Sequence, residues 1–143
     1  MATERRADVV WQGDLEHGNG TITSNTSGAL PQLDVSWAAR SEQPGGKTSP
    51  EELIAAAWAS CFAMALSNGL AQADTPPERL ETSATVTFQP GEGIVKGALT
   101  VRGTVPGIAE DDFRKAAETA KENCPVSKAL SGIPDVTLDA SLA

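Results

Sequence analysis

Two cysteines are the residues of this 143-residue chain with the clearest potential for chemistry, and they occupy unlike positions. Cys61 lies inside an apolar stretch, where a small buried hydrophobe is the ordinary alternative to a reactive thiol. Cys124 directly precedes a proline at a predicted helix start, where the helix dipole lowers a thiol pKa; the alternative is an ordinary cap residue. If the two sulfurs met, they could form a reversible disulfide, but sequence spacing alone does not bring them together.

A thiolate in apolar surroundings needs a nearby cation, because burial raises the pKa of a thiol. Arg40 is the best candidate, since it follows a predicted strand and precedes a predicted loop; a solvated arginine is the alternative. Glu51 stands at a predicted helix start and could pair with Arg40 to aim the guanidinium. The alternative for Glu51 is simple compensation of the helix dipole.

Composition excludes several classes of protein. A single histidine and the absence of tyrosine remove most of the familiar catalytic machinery, including Ser-His-Asp triads and metal sites built on several imidazoles. Sulfenic acid chemistry on a cysteine requires neither a metal nor a cofactor, and we expect neither here. The net charge of -8 repels nucleic acid and anionic lipid. The polar N-terminus lacks a secretory signal, so we expect a cytoplasmic protein. The longest apolar run, residues 53–66, is shorter than the roughly 20 residues of a membrane span and predicts a buried core helix.

The first third of the chain predicts strands. Residues 6–12 and 21–23 form the arms of a hairpin around the turn at 13–20. Residues 33–37 alternate apolar and polar side chains and predict a third strand, and the Pro and Gly residues of 41–49 predict an irregular loop.

A long helix follows. Ser49 caps it, Pro50 takes the first position, Glu52 completes a capping box, and the pattern continues to about Gln72. One side of this helix is an apolar stripe and the opposite side is mostly alanine, which predicts a helix buried nearly all round. The small residues would also allow close approach of a second element, including the same helix of a partner chain.

The remaining residues predict a hairpin of strands 81–89 and 94–105, a helix over 109–123, a short helix opening at Cys124 and Pro125, and a final strand over 136–142. Strands and helices are segregated along the chain. This order predicts a single α+β domain over residues 1–143 with antiparallel sheets.

Two stretches resemble the cysteine motifs of the OsmC/Ohr family, the osmotically induced and organic hydroperoxide resistance proteins. They are residues 48–66, TSPEELIAAAWASCFAMAL, and residues 120–130, AKENCPVSKAL. Residues 50–54, 61–67 and 105–108 resemble the OsmC branch, although Trp58 stands where OsmC members commonly have histidine. The resemblance implies an OsmC-like fold, with antiparallel sheets around a long central buried helix in an intertwined homodimer.

The resemblance also implies a thiol peroxidase in which Cys61 is the peroxidatic cysteine and Cys124 the resolving one. Arg40 matches the family arginine and Glu51 the glutamate that holds it. Cys61 would form a sulfenic acid on reaction with a hydroperoxide, Cys124 would convert it to a disulfide, and a dithiol would reduce that disulfide. Trp58, Phe62 and Met64 would supply an apolar wall for organic hydroperoxides as well as hydrogen peroxide.

Helix geometry adds a constraint on the assembly. Ten helical positions separate Glu51 from Cys61, about 15 Å along the axis, so Glu51 is not expected to reach the Cys61 of its own chain. We therefore expect an obligate homodimer with two composite sites. A non-enzymatic redox sensor or ligand-binding module is the second hypothesis, and an inactive structural homologue is the third.

Overall fold

Six strands and four helices make up the chain in the computed structural model, which describes residues 1–143. The chain divides into two compact units, Met1–Leu53 and Ile54–Ala143, which are considered in turn.

The first unit contains a three-stranded antiparallel sheet in the order β1 (Ala7–Gln12), β2 (Asn19–Asn25) and β3 (Leu33–Val35). The predicted hairpin is thus confirmed. Gly20 permits close packing within this sheet, because a Cβ there would lie 2.8 Å from the Trp11 ring and 2.9 Å from the Val35 side chain.

The third strand is shorter than predicted. It ends at Val35, and the Ser36 hydroxyl accepts a hydrogen bond from the Ala39 N–H at 3.1 Å, which caps the short helix α1 (Trp37–Ser41). A serine that satisfies a free N–H in this way starts a helix where apolar alternation alone predicts strand. Arg40 therefore lies in the last turn of α1 and not between a strand and a loop.

Helix α2 (Pro50–Gln72) begins in the first unit with the predicted cap. The Ser49 hydroxyl accepts from the Glu52 N–H at 3.2 Å. The Glu52 carboxylate accepts from the Thr48 hydroxyl at 2.7 Å, so one half of the capping box forms and the other is replaced.

In the second unit, α2 buries one face only, contrary to the prediction of a helix buried nearly all round. Its fully buried side chains recur every four residues: Trp58, Phe62, Leu66 and Leu70. The opposite face is exposed and carries small residues and Met64, which is 72% exposed. At 23 residues, α2 is by length and composition also long and apolar enough to cross a membrane, a property that it shares with core helices of globular proteins.

The sheet of the second unit has the order β4 (Arg79–Gln89), β5 (Gly93–Thr104) and β6 (Asp135–Leu142). The β4–β5 hairpin is antiparallel as predicted, but β6 runs parallel to β5. The parallel pairing arises because two helices, α3 (Glu110–Asn123) and α4 (Pro125–Ala129), form a crossover between these strands. The expectation of wholly antiparallel sheets is therefore wrong for this one pair.

The core of the second unit lies between α2, β5 and α3. It joins the buried face of α2 to Leu99 and Val101 of β5, to Phe113 of α3, and to Cys124. Two glycines of β5 make room for the largest rings. A Cβ at Gly97 would lie 2.5 Å from the Trp58 ring, and one at Gly103 would lie 2.6 Å from Phe113.

Candidate functional site

The fold brings the two cysteines together within the second unit. Cys61 is half-buried on α2, and Cys124, which is 0% exposed, lies at the junction of α3 and α4. Both are free thiols, and their side chains interact directly with each other. The sequence spacing did not show whether the two side chains are close to each other, and in the structure they are.

The backbone around Cys124 is fixed by two helices. Its N–H donates to the Ala120 carbonyl at 2.9 Å, which ends α3, and its carbonyl accepts from the Lys128 N–H at 3.1 Å, which starts α4. Pro125 takes the first position of α4, as predicted. Cys124 therefore belongs to two helix ends at once, and its side chain points from a rigid junction.

The surroundings of Cys124 favour its thiolate. Burial raises the pKa of this thiol, but the Cys61 thiol, the N–H and hydroxyl groups of Ser127 and the N–H of Val126 together lower it below its ordinary value. The N–H groups of Val126 and Ser127 lower the pKa although the Cys124 side chain does not cap α4 with a hydrogen bond. The direction agrees with the prediction for a cysteine at a helix N-terminus.

The surroundings of Cys61 act in the opposite direction. Burial raises the pKa of the Cys61 thiol, the hydrogen bond and negative charge of Cys124 raise it further, and the Val126 N–H lowers it in part. Within one chain, the surroundings of the pair thus shift the two thiols in opposite directions, with the pKa of Cys124 lowered and that of Cys61 raised.

The predicted pairing of Arg40 with Glu51 forms within the first unit. Arg40 Nη2 and Nε donate to Glu51 Oε1 at 2.8 and 3.0 Å, and Nε also lies 3.2 Å from Oε2. Glu51 is 6% exposed, so the guanidinium meets a buried carboxylate. Such charge-assisted contacts fix the orientation of an arginine better than a single hydrogen bond does.

The three residues expected to form an apolar wall do not share a surface. Phe62 is fully buried in the core, whereas Met64 lies on the exposed face of α2, beside a groove of about 640 Å³. Trp58 is 1% exposed and borders a different cavity of about 280 Å³. The reason is helical geometry, because Trp58 and Phe62 are four positions apart on one side, and two further positions turn Met64 away.

Ser127 is a site residue that sequence reasoning missed. Its hydroxyl accepts a hydrogen bond from Trp58 Nε1 at 2.8 Å and also acts on the Cys124 thiol. Its place three residues after Cys124 in a predicted helix could have indicated proximity to that cysteine. Its contact with Trp58 joins distant parts of the chain, which no spacing reveals.

No group of three or more His, Cys, Asp or Glu residues in the chain is arranged to hold a metal ion. The chemistry that the site offers is that of two adjacent thiols, which can be oxidised to a disulfide and reduced again. An α+β fold with a cysteine on its long helix and a second cysteine at a helix junction defines a protein with a paired-thiol site.

The chain belongs to the OsmC family: residues 43–139 match the family described as OsmC-like protein. It is 39% identical to Peroxiredoxin OsmC of Escherichia coli (strain K12), over 99% of each chain. It is also 37% identical to Organic hydroperoxide resistance protein-like 2 of Staphylococcus epidermidis, over 68% of this chain and 70% of the relative.

Solved structures show the same fold. The crystal structure of an organic hydroperoxide resistance protein OsmC from Legionella pneumophila is 27% identical, with a TM-score of 0.71 over 95% of this chain and 96% of that one. The organic hydroperoxide resistance protein OhrB of Bacillus subtilis is 25% identical, with a TM-score of 0.63 over 96% and 98% of the two chains. The OsmC-like fold expected from the two cysteine motifs is thus confirmed.

Proposed function

We propose that this protein is a thiol-dependent peroxidase that reduces organic hydroperoxides and hydrogen peroxide in defence against oxidative and osmotic stress. The observation that carries the proposal is the direct interaction of two free thiols, Cys61 and Cys124. The names of the relatives, peroxiredoxin and organic hydroperoxide resistance protein, support hydroperoxides as the substrates.

The accessibility of the thiols supports their separate roles. Cys61 is partly exposed and can meet a peroxide, whereas Cys124 is fully buried. The Cys61 sulfur attacks the distal oxygen of the peroxide, the O–O bond breaks, and an alcohol or water leaves while Cys61 becomes a sulfenic acid. Two electrons pass from the sulfur to the peroxide in this step.

Cys124 is suited to both ends of the cycle. Its lowered pKa keeps it ionised, so it can take the proton of Cys61 during the attack and pass it to the departing alkoxide. The Cys124 thiolate then attacks the sulfenic sulfur, an S–S bond forms, and hydroxide leaves and is protonated to water. An external dithiol reduces the disulfide by exchange, so the cycle needs no cofactor.

Arg40 supplies the positive charge in this proposal. The raised pKa of Cys61 indicates that its thiolate needs a cation for stabilisation. Glu51 holds Arg40, and ten positions of α2 place Glu51 about 15 Å along the helix from Cys61. We therefore assign each Arg40–Glu51 pair to the Cys61 of the partner subunit in a homodimer.

Exposed apolar side chains support the homodimer. The outer face of α2 presents Met64 among small residues, and the first unit separately exposes Val9, Val10, Trp11 and other large apolar side chains. Exposed apolar patches of this kind mark association surfaces. A second copy of the chain is the partner we assign to them, in a cytoplasmic protein that binds neither nucleic acid nor a membrane, as the net charge of -8 favours.

The proposal is tested by peroxide consumption. Reduced protein is mixed with cumene hydroperoxide or with hydrogen peroxide, and with a dithiol or a monothiol as the sole reductant. We expect many turnovers with the dithiol, and the ratio of the two rates defines the substrate class. Stoichiometric oxidation without turnover would contradict the peroxidase and favour a redox sensor.

A further inference from the structure

A hydrogen bond joins the two helices that carry the cysteines. Trp58 Nε1 donates to Ser127 Oγ at 2.8 Å, between α2 and α4. Trp58 lies three residues before Cys61, and Ser127 lies three residues after Cys124, so each partner is about one helical turn from a cysteine. This hydrogen bond and the thiol pair therefore both connect α2 to the start of α4.

The direction of this hydrogen bond is set by chemistry. An indole N–H can only donate, so the Ser127 oxygen must accept, and the proton of the hydroxyl is directed to another acceptor. The Cys124 thiol is beside this hydroxyl, which lowers the pKa of the thiol. The polarity thus runs from Trp58 through Ser127 to Cys124.

Packing fixes the Trp58 ring independently of Ser127. The ring is 1% exposed and occupies the space that Gly97 of β5 leaves open, where a Cβ would lie 2.5 Å from it. Ser127 is only half-buried and has a small side chain with three staggered orientations. The tryptophan is consequently the rigid partner, and it selects the orientation of the serine.

We propose that Trp58 and Ser127 are positioning residues of the cysteine pair: the indole N–H orients the Ser127 hydroxyl to donate to Cys124 and fastens α4 to α2 where the two sulfurs meet. A hydrogen bond from an oriented hydroxyl stabilises a thiolate. It therefore favours the ionised form of Cys124, which can accept a proton from Cys61.

The consequence for catalysis rests on the proposed function. When this hydrogen bond is absent, less Cys124 is ionised, and attack on the Cys61 sulfenic acid slows. The sulfenic acid then persists long enough to meet a second peroxide, which oxidises it to the sulfinic acid and is itself reduced to alcohol. Loss of Ser127 should therefore increase irreversible oxidation of Cys61 per turnover.

The test is a pH titration of thiolate ultraviolet absorbance in the reduced protein, without peroxide. Ser127→Ala should move the lower ionisation step to higher pH by about one unit, the effect of one hydrogen bond to an ionised group. Trp58→Phe, which keeps an aromatic ring and loses the donor, should move it in the same direction by less. Ser131→Ala, at an exposed serine beside the same cavity, is the matched control and should titrate as wild type.

A second pair of variants separates the hydroxyl from simple packing. Ser127→Thr keeps the hydroxyl, and the valine of Ser127→Val has nearly the shape of threonine but lacks the hydroxyl. Only the valine variant should therefore move the lower ionisation step to higher pH. An unchanged lower step in both Ser127→Ala and Ser127→Val would overturn the proposal, as would an equal shift in Ser131→Ala. Because the titration contains no peroxide, this result is independent of whether the protein turns over hydroperoxides.

Discussion

Two donors of Arg40 converge on one oxygen of Glu51, with Nη2 at 2.8 Å and Nε at 3.0 Å from Oε1. The residues belong to different helices, α1 and α2, so the ion pair ties the last turn of one to the first turn of the other. The carboxylate is buried, whereas the arginine keeps a third of its side chain exposed. The geometry holds the guanidinium in one orientation and leaves part of it accessible.

Replacement of Glu51 by glutamine should lower kcat/KM for organic hydroperoxide by about tenfold to a hundredfold. Glutamine keeps the shape but removes the charge that orients Arg40, and hydrogen bonds to charged groups contribute about 1.5–3 kcal/mol. The matched control is Glu52→Gln on the same helical turn, where the carboxylate bonds Thr48. Equal losses in both variants, measured by steady-state kinetics on folded protein, would contradict the role of Glu51.

Mixed dimers test whether the sites are composite. A protomer with Glu51→Gln and a protomer with Cys61→Ser each give poor enzyme alone. If Glu51 serves the partner's cysteine, their heterodimer contains one intact site, and random co-assembly restores about a quarter of the wild-type sites. Activity no higher than the mean of the separate variants would show that Glu51 acts within its own chain.

The two cysteine variants should fail in different ways. Cys61→Ser should consume no peroxide, because it lacks the attacking sulfur. Cys124→Ser should complete one turnover with a dithiol, then stall or accumulate sulfinic acid on Cys61, since no neighbouring thiol captures the sulfenic acid. Peroxide consumption and the intact mass of each variant distinguish these outcomes, and equal residual activity would refute the assignment.

The reduced pair should ionise in two separate steps. The pKa of Cys124 is lowered and that of Cys61 is raised, so thiolate absorbance should first rise below the ordinary thiol range and rise again above it. As pH falls, the Cys124 charge is therefore the last to be lost. Cys124→Ser should leave a single step, at lower pH than the upper step of the wild type, because the charge of Cys124 no longer raises the pKa of Cys61 while burial still does. A remaining step below the ordinary thiol range would place the first charge on Cys61.

Gly97→Ala tests the space that holds Trp58. The added methyl would lie 2.5 Å from the ring, and overpacking of this kind destabilises proteins by about 1–3 kcal/mol. Gly132→Ala is the control, since a Cβ there meets nothing within 4 Å. Thermal unfolding should show a lower Tm for Gly97→Ala by several degrees and little change for the control, and equal Tm values would contradict the packing argument.

Local signals predicted most elements of the fold. The cap at Ser49, the proline after Cys124 and the alternation in β4 act over a few residues, and the structure confirms each of them. The parallel pairing of β6 with β5 was missed because pairing direction depends on the path of the whole crossover.

In the candidate site, too, the features that depend on neighbouring residues were predictable and those that depend on the packing of distant residues were not. The Arg40–Glu51 pair was predicted from residue types near a helix start, and the structure forms it. The three residues of the expected apolar wall do not share a surface within one chain, because Met64 faces away from Trp58 on the same helix. The Trp58–Ser127 bond joins residues 69 positions apart and depends on packing that no local pattern encodes.

The parallel pairing of β6 has a consequence for biosynthesis. Cys124 lies on the crossover between β5 and β6, and the strand that follows this crossover is β6, Asp135–Leu142. Parallel pairing across such a connection depends on contacts between residues far apart in sequence, and contacts of this kind slow folding. During synthesis this pairing waits for residues 135–142, so β5 lacks its β6 neighbour while the preceding residues emerge. Removal of residues 135–142 would leave β5 without that neighbour and would take Val136, Leu138 and Ala140 out of the core that contains Cys124.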